Sequence, residues 1–256
     1  MLERQSARLL LTEPLFRYAD RTMCGRFARR STQEELADWF GVALEDMPWF
    51  MPSFNVAPQS VQPVVRLSHD TGEREFALQR WGLVPHWAKD AKLGFSTINA
   101  RAEEAASKPA FREALKRRRC LVPADAFFEW QRLDAKSKRP FAIALKSGEP
   151  YAFAGLWESW QPKDGSPLET FTILTTAPNE IMAPIHNRMP VIVTPKDYDQ
   201  WLDPGNTAKP PVDLLHPYPA ERMRAWPVSD RVGNVRNNDP ELLEPVPPDS
   251  NRVVGP

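Results

Sequence analysis

The sequence predicts one α+β domain: a β-rich, curved or barrel-like sheet with a few short helices. Three observations lead there. Apolar segments of strand length recur along the chain, only three short segments carry helical spacing, and 27 prolines stiffen the stretches between them. A length of 256 residues permits one or two domains, and no internal repeat divides it.

Taken in order, Ser31–Phe40 reads as a short helix. Ser31 and Glu34 have capping-box spacing, and Leu36, Trp39 and Phe40 fall on one face. Val61–Leu67 and Glu75–Gln79 read as strands around the turn Asp70-Thr71-Gly72. Phe111–Arg118 is a basic helix. Cys120–Trp130, Phe141–Leu145, Tyr151–Trp157 and Thr170–Thr176 read as further strands. Pro195–Leu202 is another short helix and Arg224–Val228 a last strand. Residues 1–22 stand apart as a leader and the domain spans 23–237. The proline-rich stretch 238–256 has few apolar anchors and is expected to be disordered.

Composition excludes more than it proposes. Lys plus Arg and Asp plus Glu are both 33, so whole-molecule charge would not steer a nucleic acid, and any such site must be a local groove. Two cysteines, Cys24 and Cys120, rule out a disulfide framework or a Cys-rich metal site and fit a reducing cytoplasm. No apolar run has the length of a membrane span. The first 22 residues carry four basic and three acidic side chains and have neither a secretory pattern nor the character of a basic targeting arm.

The chemistry begins at Met23-Cys24-Gly25-Arg26-Phe27. On spacing alone, Cys24 reads as a buried thiol before a turn glycine. It acquires another character if Met23 is the true start and is removed. Cys24 would then bear a free amine and a thiol on neighbouring carbons, a 1,2-aminothiol that closes a thiazolidine ring on an aldehyde. Both groups are suited to neutral pH, the amine with a pKa near 8 and the thiol about 8.5. Further on, Asn55 stands in a stiff apolar loop, Phe54-Asn55-Val56-Ala57-Pro58. Trp81 precedes a turn glycine. Asn99 and Arg101 alternate with apolar residues and so share a strand face. Glu129 lies between Phe128 and Trp130, and His186 lies two residues before Arg188-Met189-Pro190.

Cys24-Gly25-Arg26-Phe27, the Asn99/Arg101 segment, Phe128-Glu129-Trp130 and His186-x-Arg188-Met189-Pro190 occur in an order that resembles the SOS-response-associated peptidase (SRAP) family of abasic-site processing proteins. The resemblance runs from about Met23 to about Val228. It implies a single β-rich SRAP domain that crosslinks itself to abasic sites in single-stranded DNA. It also implies an autoproteolytic activity that exposes the N-terminal cysteine, and it leaves room for abasic-site lyase activity.

Carried over by motif, Cys24 is the crosslinking nucleophile. Glu129 is the acid/base whose pKa burial would raise, with a structural pairing to Arg26 or Arg101 as its bland alternative. His186 is a second acid/base, near neutral at physiological pH. Asn99 binds sugar or phosphate. Arg26, Arg101 and Arg188 suit phosphates, with surface salt bridges as their alternative. Trp81 and Trp130 could stack on bases or serve the core, and Asn55 completes the DNA-binding candidates. Arg112, Lys116, Arg117, Arg118 and Arg119 read as a solvated helix face, Cys120 and Met189 as packing. The expected partner is single-stranded DNA with abasic sites, bound by a monomer in the cytoplasm that joins the nucleoid during damage. No metal, cofactor or membrane is expected.

The family has its cysteine at position two. Here, either translation starts at Met23 or a leader is cleaved between Met23 and Cys24. Two other functions stay open: a cysteine hydrolase using Cys24 and His186, and a non-catalytic single-strand-binding module.

Overall fold

The computed structural model describes residues 25–163, 165–205 and 207–247. Its strands build two sheets. In the first, β1 (Phe27–Arg29) and β2 (Ser53–Val56) pair antiparallel, and the order continues from β1 through β7 (Ala126–Arg132) and β8 (Lys138–Leu145) to β13 (Met223–Pro227). The second sheet closes on itself. β3 (Val61–Leu67) pairs with β4 (Arg74–Trp81) and β6 (Arg119–Ala124). β6 pairs with β9 (Tyr151–Trp160), β9 with β10 (Leu168–Thr176), and β10 returns parallel to β4. Three short strands lie outside this ring: β5 (Asn99–Arg101) and β11 (Met189–Pro190) on β10, and β12 (Ile192–Val193) on β9. The predicted barrel-like α+β architecture is what the chain adopts.

Period-two alternation decides which layer each side chain enters. Phe27, Phe127 and Ile143 of the first sheet meet Val64, Trp81, Val122, Phe153 and Phe171 of the barrel in one core. Their neighbours Ala28, Ala126, Phe128 and Ala142 face the other way, under Val228, Val232 and Leu242. The alternate barrel residues Val65, Phe76, Leu121 and Leu156 are covered by α1 (Gln33–Phe40), α2 (Ala102–Ala105), α3 (Arg112–Arg117) and α4 (Tyr198–Leu202). Arg119 fixes two of those helices. Its buried guanidinium donates to the carbonyls of Leu115, Lys116, Trp201 and Asp203, where the ends of α3 and α4 lack backbone partners.

Several sequence expectations shift. The capping box of α1 is Thr32 with Glu35, one residue beyond the predicted pair. Ser31 is drawn off by Asp125, which accepts its hydroxyl at 2.6 Å and its backbone N–H at 3.0 Å. The same carboxylate marks where the expected strand Cys120–Trp130 divides. Asp125 N–H donates to Ala28, and the chain passes there from barrel to first sheet as β6 ends and β7 begins. Asn55 lies on strand β2 rather than in a loop.

The predicted disordered stretch also begins too early. Leu242 is fully buried, the Trp226 indole donates to the Leu243 carbonyl at 2.8 Å, and Val246 N–H donates to Pro227. Residues 238–247 therefore pack as part of the domain. The predicted leader 1–22 and residues 248–256 lie outside the described residues. No helix among the described residues is long and apolar enough to cross a membrane.

Candidate active site

Three segments carry the candidate residues, β7, β5 and 178–190, and the last is tied to β7 through Gln131 and Pro184 and to the residues after β5 through Arg188 and Glu103. β7 presents Glu129 on the same face as Phe127, opposite Phe141 of β8, with only 4% of its surface exposed. β1 runs antiparallel alongside, with Phe27 opposite Phe127, and Phe128 N–H donates to the Arg26 carbonyl at 2.9 Å. Continuing that register brings residue 25 opposite Glu129. Cys24 itself lies outside the described residues.

β5 pairs parallel with β10, Asn99 opposite Ile173 and Arg101 opposite Thr175. Ala100 turns into the helix-covered core, so Asn99, half-buried, and Arg101, exposed, share the other face. Arg101 lies 3.8 Å from Glu104, a weak surface pair. The approach of this segment depends on Gly82 and Gly94. Gly82 has φ of 127°, and a Cβ there would collide with the Gly94 carbonyl. Gln59, the one non-glycine residue with positive φ (71°) among the described residues, donates its amide to the Trp81 and Gly94 carbonyls and holds the same crossing.

The third segment hangs from Asn179, whose amide donates to the Tyr218 carbonyl and whose oxygen caps Met182 N–H. Gln131, two residues past Glu129 on β7, donates to the Pro184 carbonyl at 3.1 Å and ties this segment to β7. His186 is half-buried, its Nδ1 3.2 Å from Arg188 N–H and 3.3 Å from the Arg188 carbonyl. Burial lowers its pKa, the Arg188 backbone contact opposes that, and the charges of Arg188 and Lys138 lower it further. The net shift is downward, so the ring is neutral at pH 7 and protonates only below its ordinary value near 6.5. An unfolded chain would take that proton more readily. This group's contribution to stability therefore falls as pH drops below about 6.5. Arg188 forks onto Glu103 at 2.7 and 2.8 Å and reaches the Thr175 carbonyl at 2.6 Å. Those bonds hold the Glu103 carboxyl below its usual range.

The remaining candidates divide. Trp81 is fully buried, its ring 5.3 Å from Phe27 and 6.2 Å from Phe171, and its indole N–H donates to the Ile98 carbonyl. It is a core residue and has no face to offer a base. Asn55 is also misplaced as a DNA contact. It is buried, its amide N–H groups serve the carbonyls of Val232, Asn234 and Asn237, and its oxygen accepts from Arg26 at 2.9 Å. Arg26 remains suited to an anion. Its Nη1 is spent on Asn55 and Val232, burial lowers its pKa, and no carboxylate pairs with it among the described residues. Trp130, half-buried on β7, lies with its ring centroid 6.0 Å from that guanidinium. Cys120 is buried, with its pKa pushed up by desolvation, and is inert as a nucleophile.

Sequence reasoning gives no role to Glu103 or to Trp87. Glu103 follows Arg101 by two residues, but a partner 85 positions away leaves no local pattern. Trp87 is 52% exposed just beyond Pro85, the aromatic of that stretch that Trp81 is not. A cavity of about 370 Å³ lined by Trp39, Tyr151, Ile192, Tyr218 and Arg222 lies at the Leu145 end of β8, away from Glu129. No cluster of three or more metal-ligating side chains occurs among the described residues.

A closed barrel faced by a five-stranded sheet that carries a buried glutamate, with a neutral histidine and a glutamate-paired arginine on the 178–190 segment, defines the class of protein. The family model "SOS response associated peptidase (SRAP)" matches residues 23–235, and the chain belongs to that family. It is 46% identical over 225 residues to the abasic site processing protein YoqW of Bacillus subtilis strain 168, covering 87% of this chain and 99% of that protein. It is 35% identical over 255 residues to the abasic site processing protein HMCES of Pongo abelii, covering 85% of this chain and 70% of that one. A solved structure of a protein from Bacteroides thetaiotaomicron superposes with a TM-score of 0.77 at 26% identity, covering 87% of this chain and all of the other.

Proposed function

We propose that this protein processes abasic sites in single-stranded DNA in response to damage, and that Cys24, once N-terminal, bonds covalently to the lesion. The observation that carries this reading is the β1–β7 register, which runs the residue after Cys24 toward buried Glu129. The names of the relatives supply the substrate.

In the proposed reaction the α-amine of Cys24 adds to the C1 aldehyde of the ring-opened sugar. The resulting carbinolamine loses water to give an imine when Glu129 delivers a proton to the departing hydroxyl. The thiol sulfur then adds to the imine carbon. Its proton passes to the nitrogen and the thiazolidine closes, one water having been released in all. His186, neutral at pH 7, accepts or returns a proton on the sugar side, where a strand-cleaving lyase step could also start. Asn99 orients the sugar. Arg26, Arg101 and Arg188 bind flanking phosphates, and Trp130 offers a surface for a neighbouring base. Hydrolysis of the Met23–Cys24 bond is the peptidase activity that exposes the amine in a chain still carrying residues 1–23.

The test incubates single-stranded DNA bearing one abasic site with chains begun at Met1 and at Met23, followed by denaturing electrophoresis and intact mass. Adduct is expected only where the mass shows Cys24 at the N-terminus. An adduct on a chain that keeps residue 23 would overturn the ring chemistry.

Arg188 can take a phosphate only by giving up Glu103. Because that pair is largely open on the Glu103 side, its contribution is small. Glu103→Gln is expected to tighten binding to single-stranded DNA by about two- to fivefold, read by fluorescence anisotropy at fixed salt. Weaker binding would make Glu103 the residue that aims Arg188.

A further inference from the structure

Of the three arginines assigned to phosphates, Arg188 is forked onto Glu103 and Arg101 lies near Glu104, but Arg26 has no acidic partner among the described residues. A neutral pair of acceptors holds it instead. Its Nη1 donates to Asn55 Oδ1 at 2.9 Å and to the Val232 carbonyl at 2.7 Å. Its Nε is buried without a hydrogen-bond partner, and Nη2 makes no hydrogen bond among the described residues. Two acceptors at one nitrogen fix how the planar guanidinium is turned and leave its charge uncancelled. The Asn55 amide is oriented in its turn. Its Nδ2 lies 3.3, 3.1 and 2.8 Å from the carbonyls of Val232, Asn234 and Asn237. Turned over, the amide would set its oxygen against those three oxygens, so the oxygen faces Arg26. An aspartate there would fail on both sides. One oxygen would meet the carbonyls without a proton, and the charge would pair off the guanidinium.

We infer that Asn55 is a positioning residue for DNA binding: braced against the 232–237 segment, it aims the Arg26 guanidinium at a phosphate without neutralising it. The role rests on the single-stranded-DNA reading above and gives that reading a residue that never touches the strand. Simple anchoring is the rival account, since Asn55 also fastens the 232–237 segment to β2. Asn238 separates the two. Its Oδ1 accepts from the Phe54 N–H at 2.7 Å and from the Ser53 hydroxyl at 3.2 Å, so it ties the adjoining residue to the same strand without touching Arg26.

The full chain begun at Met23 is compared with its Asn55→Ala, Asn55→Asp, Arg26→Gln, Arg26→Gln/Asn55→Ala and Asn238→Ala variants. Each is titrated with undamaged single strands across salt, and wild type is also reacted with abasic strands. One phosphate contact on a single strand contributes about 0.7 to the log–log salt slope and about fourfold in affinity near 0.15 M salt. Asn55→Ala and Arg26→Gln should each show that loss, and the double variant should lose no more than Arg26→Gln alone. Asn55→Asp, close in size to the native residue, should lose the same slope because its charge occupies Arg26. Asn238→Ala should match wild type. A wild-type slope in Arg26→Gln or in either Asn55 variant overturns the positioning role. So does a further loss in the double variant, or an equal loss in Asn238→Ala. A wild-type chain that binds with its slope intact but yields no heat-stable adduct would sink the crosslinking reading and leave the positioning role standing.

Discussion

Cys24→Ala, in a chain whose N-terminus is residue 24, is expected to abolish heat-stable adduct with abasic single strands while leaving affinity for the same DNA within about twofold. Affinity survives because the proposed phosphate contacts come from Arg26, Arg101 and Arg188, which the substitution does not touch. Adduct is lost because an α-amine alone gives an imine, which water reverses. Only the neighbouring sulfur converts that imine into a ring. At pH 7 an amine with pKa near 8 is about one-tenth neutral, enough to react without any special shift. The measurement is band intensity after heating in denaturant, alongside anisotropy before it. Persistent heat-stable adduct in Cys24→Ala would move the nucleophile elsewhere in the chain. Turnover of a small acyl substrate without adduct would favour a cysteine hydrolase, with His186 as base.

The second large effect concerns stability. Trp81→Ala removes a fully buried indole that packs against Phe27 and Phe171 and satisfies the Ile98 carbonyl. Truncating a buried aromatic of this size costs about 3–5 kcal/mol. For a domain of this length that lowers the thermal midpoint by about 10 °C. Calorimetry should show this loss, while the fraction that remains folded binds DNA as wild type does. A variant with normal stability and weakened DNA binding would mean the indole faces ligand after all. The same experiment separates the two tryptophans, because Trp130 on β7 is half-buried and its removal should cost much less stability.

That contrast shows what the sequence could and could not convey. Strands such as Val61–Leu67 were legible because their apolar runs and the turn after them are local patterns. The division at Asp125 was not, since an uninterrupted apolar run looks the same whether it serves one sheet or passes between two. Trp81 and Trp130 have similar local settings, and only the Phe27–Phe171 packing around one of them decides its burial. Glu129, Asn99, Arg101, His186 and Arg188 were singled out as candidates through motif order. Spacing by itself would have left them as scattered polar residues. Asn55 drew attention as a polar residue among apolar ones, but its partners lie about 180 positions away and no local signal names them. The proline-rich stretch misled for a related reason. Two residues, Leu242 and Leu243, suffice to dock it once Trp226 is in place.

The clasp between Asn55, Arg26 and the carbonyls at 232–237 has a consequence for biosynthesis. A ribosome releases β1 first and Asn55 soon after, but the carbonyls at 232–237 that complete the clasp emerge near the end of the domain. Until they arrive, the outer faces of Ala28, Ala126 and Phe128 stay wet and the opening strand has nothing behind it. The outer face of the first sheet is therefore covered only once the C-terminal segment of the domain has been made.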